Sequence, residues 1–149
     1  MITMWCVPKE RGTMQEVNIL QIVIRELKNQ GYLVFYNDYK PDLIGIRGKE
    51  AVVIECKGAI LRDVAKRDVS LGQCLRYIVS WHLELLHLAF PYDKHNLVDK
   101  GAYLNLLRII TFFNLPIRLI RVTTNEILDS FKPLKLNLGS MIKKYQKIG

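Results

Sequence analysis

The sequence predicts an α/β fold in which a central mixed β-sheet is flanked by helices. Helical and extended patterns follow one another in the order α-β-β-β-α-β-α-β, and two of the strands read as a hairpin. With 149 residues, 50% of them hydrophobic, the chain is expected to form one domain with one sizeable core. We expect that core to cover about residues 13–123 and a basic tail to cover about residues 130–149.

The first helix is predicted by a capping box that precedes an amphipathic repeat. Residues 13–16 read Thr-Met-Gln-Glu, the spacing of a capping box, and Gly31 is suited to end the helix after about Asn29. Glu16 projects toward the middle of the apolar face, which is formed by Leu20, Val23, Ile24 and Leu27. Two roles remain open for Glu16: it completes the capping box, or its carboxylate joins an acidic cluster.

The next segment predicts a strand and then a β-hairpin. Residues 32–36 are rich in β-forming side chains, and two apolar runs, 43–46 and 51–54, flank a turn at Gly48-Lys49. The open end of such a hairpin brings together the residues that begin its first strand and those that end its second strand.

Two acids and a lysine fall at this open end. Asp42 begins the first strand, while Glu55 and Lys57 end the second strand and share one face, because side chains alternate along a strand. Two carboxylates at this range can share a hard divalent cation such as Mg²⁺, which polarises a phosphate and lowers the pKa of a bound water. Lys57 can hold or deprotonate that water, or stabilise developing negative charge. The cluster therefore predicts metal-assisted hydrolysis of a phosphodiester.

These residues carry a resemblance to a known superfamily. Pro41-Asp42, twelve intervening residues and Glu55-Cys56-Lys57 resemble the motif of the PD-(D/E)xK nucleases, which include restriction enzymes, archaeal Holliday-junction resolvases and RecB-like nucleases. The resemblance implies a restriction-endonuclease-like core and a DNA nuclease that uses Mg²⁺, with Mn²⁺ able to substitute. It also implies metal ligation by Asp42, Glu55, the carbonyl of Cys56 and a third acid, Glu16. Lys57 is then the catalytic base or charge stabiliser.

A second helix, over about Val69–Ser80, places Gln73 and Tyr77 one above the other at the i, i+4 spacing. This pair resembles the Q-x-x-x-Y motif of RecB-like nucleases, whereas the small single domain resembles a resolvase. Gln73 and Tyr77 would bind a DNA phosphate or orient Lys57. The alternative is that Tyr77 packs in the core and Gln73 is exposed.

The segment between the hairpin and this helix is basic. It contains Arg62, Lys66 and Arg67. Either these residues contact DNA phosphates beside the site, or the segment is a solvated loop or helix start.

The second half of the chain predicts a buried strand over 83–90, a third helix from an Asp99 cap to about Asn114, and a last strand over 117–122. The expected apolar face of the third helix comprises Tyr103, Leu104, Leu107 and Ile110. Arg118 and Arg121 are expected on a sheet edge. Three histidines, His82, His87 and His95, match no common zinc spacing and are expected in the core or at the surface.

Composition favours a negatively charged partner, because the formal net charge is +8. No apolar run is long enough for a membrane span, so no membrane partner is expected. The three cysteines form no C-x-x-C pair and no secretory signal precedes them, which predicts a cytoplasmic, intracellular location. Iron–sulfur members of the RecB-like branch use four cysteines, so no iron–sulfur cluster is expected.

Assembly and the rival functions remain open at this point. Because one active site cuts one strand, we expect a homodimer formed through the third helix and the tail. The tail, rich in lysine after Asp129, is otherwise an arm that grips DNA or a solubilising extension. One rival function is a non-catalytic DNA-binding module that retains the nuclease fold, and the other is a structural protein with an accidental motif.

Overall fold

The structure is a computed structural model that describes residues 16–38, 41–135 and 137–149. Its elements are α1 (Glu16–Asn29), β1 (Leu33–Tyr36), β2 (Leu43–Arg47), β3 (Glu50–Cys56), α2 (Val64–Trp81), β4 (Leu86–Pro91), α3 (Leu97–Phe112), β5 (Ile117–Val122), β6 (Leu134–Lys135), a short 3-10 helix (Met141–Lys144) and β7 (Gln146–Ile148). The predicted α/β class is confirmed. The element order differs from the prediction, because the 3-10 helix and two strands follow β5.

A mixed sheet with the strand order β5-β4-β3-β2-β1-β7 forms the centre of the fold. β3 pairs parallel with β4, and β4 with β5, whereas β3 pairs antiparallel with β2, β2 with β1, and β1 with β7. One buried cluster packs α1 on one face of the sheet, and a second packs α2 and α3 on the other. Because both faces are covered, strand residues on either side are withdrawn from water.

The predicted hairpin is present and its register positions the acids. β2 and β3 pair antiparallel with Leu43 opposite Ile54, and the turn between them uses Gly48 at a φ of +62°. A positive φ is readily adopted by glycine, which suits this position of a tight turn. Continuing the register by one residue places Asp42 opposite Glu55.

The second helix begins five residues earlier than the predicted Val69. Asp63 caps it, because its Oδ1 accepts the N–H of Lys66 at 3.2 Å. The charged segment after the hairpin is therefore a helix start, which was one of its two interpretations. The helix ends at Trp81, where His82 adopts the left-handed conformation.

The third helix also begins earlier than predicted and buries a different face. Asn96 rather than Asp99 caps it, because Asn96 Oδ1 accepts the Asp99 N–H at 3.0 Å. The predicted apolar face is wrong in part, since Leu104 and Leu107 are exposed. The buried apolar residues of the helix are Ala102, Leu106 and Ile110. Apolar residues lie on most sides of α3, so periodicity alone does not select the buried face.

The strand that precedes this helix holds a core histidine. β4 begins at Leu86 rather than at residue 83, and His87 within it is buried. Its Nε2 accepts the Lys132 N–H at 3.0 Å, and its Nδ1 lies 3.2 Å from the Val53 carbonyl, to which it donates. His82 and His95 are exposed. The expectation of core or surface histidines therefore agrees with the structure.

The basic tail is part of the sheet, which corrects the interpretation of a separate arm. β6 pairs with β3, and β7 pairs with β1 at the sheet edge opposite β5. Between them Met141 is only 2% exposed and packs in the cluster beneath α2 and α3. Leu138, Ile142 and Ile148 are partly buried against the two clusters, while the described lysines of the tail are exposed. Arg118 and Arg121 lie on the edge strand β5, as expected.

Within the ranges 16–38, 41–135 and 137–149, none of the three α-helices combines the length and the apolar character that crossing a bilayer requires.

The tail's contribution to the core predicts the effect of a truncated side chain. We expect Met141→Ala to lower the free energy of unfolding by about 2–5 kcal/mol, because it leaves a cavity in a packed cluster. Lys143→Ala is the matched control: this side chain is exposed in the same 3-10 helix, so its effect should stay within about 0.5 kcal/mol. Denaturant unfolding measures both, and equal stability of the two variants would contradict the assignment of the tail to the core.

Candidate active site

Asp42 and Glu55 hold each other in place at the open end of the hairpin. Asp42 Oδ2 accepts the N–H of Cys56 at 2.8 Å, and Glu55 Oε1 accepts the N–H of Asp42 at 3.2 Å. Both carboxylates are buried, with exposed fractions of 5% for Asp42 and 0% for Glu55. The hairpin register therefore brings the two predicted acids together, as the sequence indicated, and backbone donors fix both of them.

Lys57 completes the cluster just beyond the end of β3. Its Nζ lies 3.3 Å from Glu55 Oε2 and donates to Gln73 Oε1 at 2.5 Å. Its backbone N–H donates to the carbonyl of Ala89 at 2.9 Å, which continues the parallel pairing with β4. Of the two roles proposed for Gln73, the structure places the side chain where it orients Lys57. The lysine head group is thus held between a strand and a helix.

Negative charge is in excess in this cluster. Burial, together with the charge of Glu55, raises the pKa of Asp42 well above its ordinary value, although the Cys56 N–H partly offsets this. Burial and then the charges of Asp42, Glu55 and Glu16 also raise the pKa of the Cys56 thiol, which Lys57 opposes. A buried carboxylate pair of this kind favours either a proton or a cation between its members.

Glu16 lies at the first residue of α1 with an exposed side chain. Its charge is the smallest contribution to the raised pKa of Asp42 and of Tyr36, so it lies within electrostatic range of the cluster. The capping-box alternative involves Thr13, which lies outside the described residues.

The donor set at this position suits a hard cation. Asp42 and Glu55 supply carboxylate oxygens, the carbonyl of Cys56 lies on the strand between Glu55 and Lys57, and Glu16 has an exposed carboxylate. Oxygen ligands of this kind are those that Mg²⁺ prefers. In the part of the chain that the structure describes, no group of three or more His, Cys, Asp or Glu side chains forms a ready-made metal site. Water or phosphate oxygens would complete the coordination of a cation at this position, since Mg²⁺ usually keeps several waters.

The predicted DNA-contacting residues differ from one another in their exposure and in their contacts with the rest of the protein. Arg62 is paired with the buried Asp99, with Nε 3.0 Å from Oδ1, and Arg67 donates to the carbonyl of Leu61 at 2.7 Å. Lys66 is exposed in the first turn of α2. Tyr77 is half-buried and packs against the cluster beneath α2 and α3. Lys66 is thus more open to a phosphate than either arginine.

Sequence reasoning missed a tyrosine from the tail. The hydroxyl of Tyr145 donates to the carbonyl of Pro41, the residue before Asp42. Burial and then the charges of Asp42 and Glu55 raise the pKa of this phenol, which places it beside both acids. No local pattern signals this contact, because the two residues are 104 positions apart in the chain.

No protein-family model, curated protein or solved structure matches this chain. The resemblance to the PD-(D/E)xK nucleases consequently depends on the residues of the motif, and the nuclease assignment stays a prediction. The observations from which a function can be inferred are the positions of Asp42, Glu55, Lys57 and Gln73.

The raised pKa of Asp42 predicts how the metal-free protein responds to pH. The pKa of Asp42 is higher in the folded protein than in the unfolded chain. As pH rises from the unfolded pKa toward the folded pKa, ionisation of Asp42 in the unfolded chain therefore lowers the free energy of unfolding. Asp42→Asn removes this cost and keeps an acceptor for the Cys56 N–H. We expect the variant to exceed the wild type in unfolding free energy by at least about 1.4 kcal/mol at about pH 8, with a smaller difference at about pH 5.

Denaturant unfolding in chelator at the two pH values measures this difference. The control is Asp68→Asn, an exposed aspartate on α2, whose effect should be near zero at both. An Asp42→Asn protein that is less stable than the wild type at the higher pH would show that the acid pair carries no electrostatic cost.

Proposed function

We propose that this protein is a magnesium-dependent DNA nuclease of the RecB-like or junction-resolving type, which hydrolyses phosphodiester bonds. The observation that supports the proposal most is the buried pair of Asp42 and Glu55, interlocked through backbone N–H groups and flanked by Lys57. A protein that needed only stability would gain from replacing buried like charges by apolar side chains. Their presence beside a lysine that is held by two side chains supports a chemical role.

Each residue of the cluster has a defined part in the proposed reaction. Asp42 and Glu55 would hold Mg²⁺ or Mn²⁺, with the carbonyl of Cys56 and the carboxylate of Glu16 as further oxygen ligands. The bound ion would polarise the scissile phosphate and lower the pKa of a water. Lys57 donates hydrogen bonds to negative charge that develops on the phosphate, or holds the attacking water.

The position of Lys57 supports this part in the reaction. Its Nζ is fixed by Glu55 on one side and by Gln73 on the other, so it is oriented before a substrate binds. Donors that are held in place in advance need no reorganisation when charge develops, which is the main source of electrostatic catalysis. Gln73 thus acts through Lys57 in this proposal, rather than on DNA directly.

The charge and the surface of the chain support DNA as the partner. The net charge of +8 favours a polyanion, and Lys66 is an exposed cation on the helix that carries Gln73. Arg62 and Arg67 would contribute to the positive field while bound to Asp99 and Leu61. The cysteine pattern supports an intracellular location, where a DNA substrate is present.

The proposal includes assembly as a symmetric homodimer, because two sites are needed to cut both strands of a duplex or junction. Exposed apolar side chains on and just after α3 support a contact there. They are Leu97, Val98, Leu104, Leu107, Phe112 and Phe113.

Substitution of the acids tests the proposed chemistry. We expect Asp42→Ala and Glu55→Ala to abolish cleavage of plasmid, junction or single-stranded DNA in Mg²⁺ or Mn²⁺, and Lys57→Met to slow it by about 100-fold or more. DNA binding should persist in the two alanine variants, since the exposed basic side chains that would contact phosphates, Lys66 among them, are unchanged. Cleavage rates and gel-shift affinities measure these effects.

The control for this series is Asp68→Ala, which removes an exposed carboxylate from α2 and should keep full activity. Cleavage by Asp42→Ala protein at the wild-type rate would refute the assignment of the site. A wild-type protein that binds DNA but never cleaves it would favour the non-catalytic DNA-binding module instead.

Glu16 has a separate test, because its side chain is exposed and adds little to packing. We expect Glu16→Gln to lose most of the activity while its melting temperature changes little, because an amide is a poorer metal ligand than a carboxylate. Glutamine can replace glutamate in a capping box, so a role limited to capping predicts unchanged activity. Steady-state rates on the folded variant separate the two roles.

A further inference from the structure

Residues 141–148, the C-terminal strap, form hydrogen bonds near both ends of the connection between β1 and β2. Asn37 begins this connection, and its Nδ2 donates to the carbonyl of Lys144 at 2.8 Å. Asp42 ends it, and the carbonyl of the preceding residue, Pro41, accepts the hydroxyl of Tyr145. The strand β7 of the strap also pairs with β1, which places Gln146 opposite Tyr36. The strap is therefore bonded to β1, to Asn37 and to the residue that precedes Asp42.

The peptide unit between Pro41 and Asp42 is held from both sides. The carbonyl of Pro41 accepts the Tyr145 hydroxyl, and the N–H of Asp42 donates to Glu55 Oε1 at 3.2 Å. These two groups belong to one planar peptide unit and point in opposite directions. Fixing both groups fixes the orientation of that plane, and the Asp42 side chain is attached at its edge. Proline also restricts the backbone on the other side of the unit.

The two hydrogen bonds reinforce one another. A donor on a peptide carbonyl polarises the peptide, which makes its N–H a better donor to a carboxylate. Tyr145 thus strengthens the bond from the Asp42 N–H to Glu55 through the hydrogen bond that its hydroxyl donates to the Pro41 carbonyl. The phenol keeps its proton for this purpose, because burial and the neighbouring acids raise its pKa.

We propose that Tyr145 is a positioning residue of the site: its hydroxyl clamps the Pro41–Asp42 peptide against Glu55 and so sets the distance between the two carboxylates. Asn37 supports the same clamp by anchoring Lys144, the neighbour of Tyr145. The inference rests on the proposed function only for its activity readout. Its structural content, a clamped peptide, stands on the hydrogen bonds alone.

The test compares Tyr145→Phe with the wild type and with Tyr103→Phe. Tyr103 is a half-buried tyrosine on α3 that lies outside the site, so it is the matched control for loss of a hydroxyl. We expect Tyr145→Phe to lower kcat about tenfold or more and to raise the Mg²⁺ concentration for half-maximal activity about tenfold, with KM for DNA unchanged. Tyr103→Phe should match the wild type in all three quantities.

A second readout needs no activity. Amide hydrogen exchange, followed by NMR on metal-free protein, reports the hydrogen bond from the Asp42 N–H to Glu55. Tyr145→Phe should accelerate exchange at Asp42 about tenfold or more while exchange at the hairpin residues Val52 and Val53 is unchanged. Asn37→Ala is the second variant, and it should act in the same direction, which keeps the inference testable if Tyr145→Phe does not fold.

The outcomes separate this inference from the proposed function. The clamp would be overturned if Tyr145→Phe shows the kinetics of the wild type and the wild-type exchange rate at Asp42. If Asp42→Ala is inactive in the same experiment, the nuclease proposal stays intact. A wild-type protein without nuclease activity would remove the proposed function, and exchange at Asp42 would still decide the clamp. Faster exchange throughout the hairpin, rather than at Asp42, would also overturn it, since Tyr145 would then only stabilise the sheet.

Discussion

Asp42 and Glu55 are each held by a backbone N–H from the opposite strand, and this reciprocal pair of hydrogen bonds exists in only one register of the hairpin. A slip of one residue between β2 and β3 would move Asp42 away from Glu55 and turn the alternating side chains to the wrong faces. The register is fixed because both faces of the hairpin are buried. Its residues divide between two packed clusters, Leu43 and Ile54 beneath α1, and Ile44 and Val53 beneath α2 and α3. The core therefore defines the site.

Holding two carboxylates out of water opposes folding, and distant segments stabilise the arrangement. Helix α2 contributes Gln73, which binds Lys57, and Lys57 in turn lies beside Glu55. The C-terminal strap contributes Tyr145, which binds the peptide that precedes Asp42. Support from several elements around a reactive cluster is what keeps catalytic groups in a productive geometry. The geometry of the cluster thus depends on α2 and on the C-terminal strap as well as on the hairpin.

The features that could be predicted from the sequence are those set by local patterns. The hairpin follows from two apolar runs and a glycine turn, and strand alternation alone places Glu55 and Lys57 on one face. The helix that is predicted after the hairpin carries Gln73, which reaches Lys57 from it. The hairpin and the shared face of Glu55 and Lys57 depend only on neighbours in the chain or across one tight turn.

The features that were missed depend on partners far away in the chain. The lysines of the tail predict a basic arm, although Met141 is buried in the core and two segments of the tail pair with the sheet as β6 and β7. Nothing near Tyr145 indicates that its hydroxyl meets Pro41. Similarly, the cap of α3 shifted to Asn96 because Asp99 serves the ion pair with Arg62. Such choices are made by tertiary packing, which overrides local propensity.

The central claim is that Asp42 and Glu55 form a binding site for a divalent cation, and proton release tests it most directly. Without a cation, burial and the charge of Glu55 favour a protonated Asp42, so binding of Mg²⁺ must displace that proton. Calorimetric titration with Mg²⁺ at about pH 7, in buffers of different ionisation enthalpy, measures the number of protons released. The account predicts saturable binding with release of about one proton per ion, both lost in Asp42→Ala. Two results would contradict the account: no binding of Mg²⁺ to the wild type, or binding that releases no proton and is kept in Asp42→Ala.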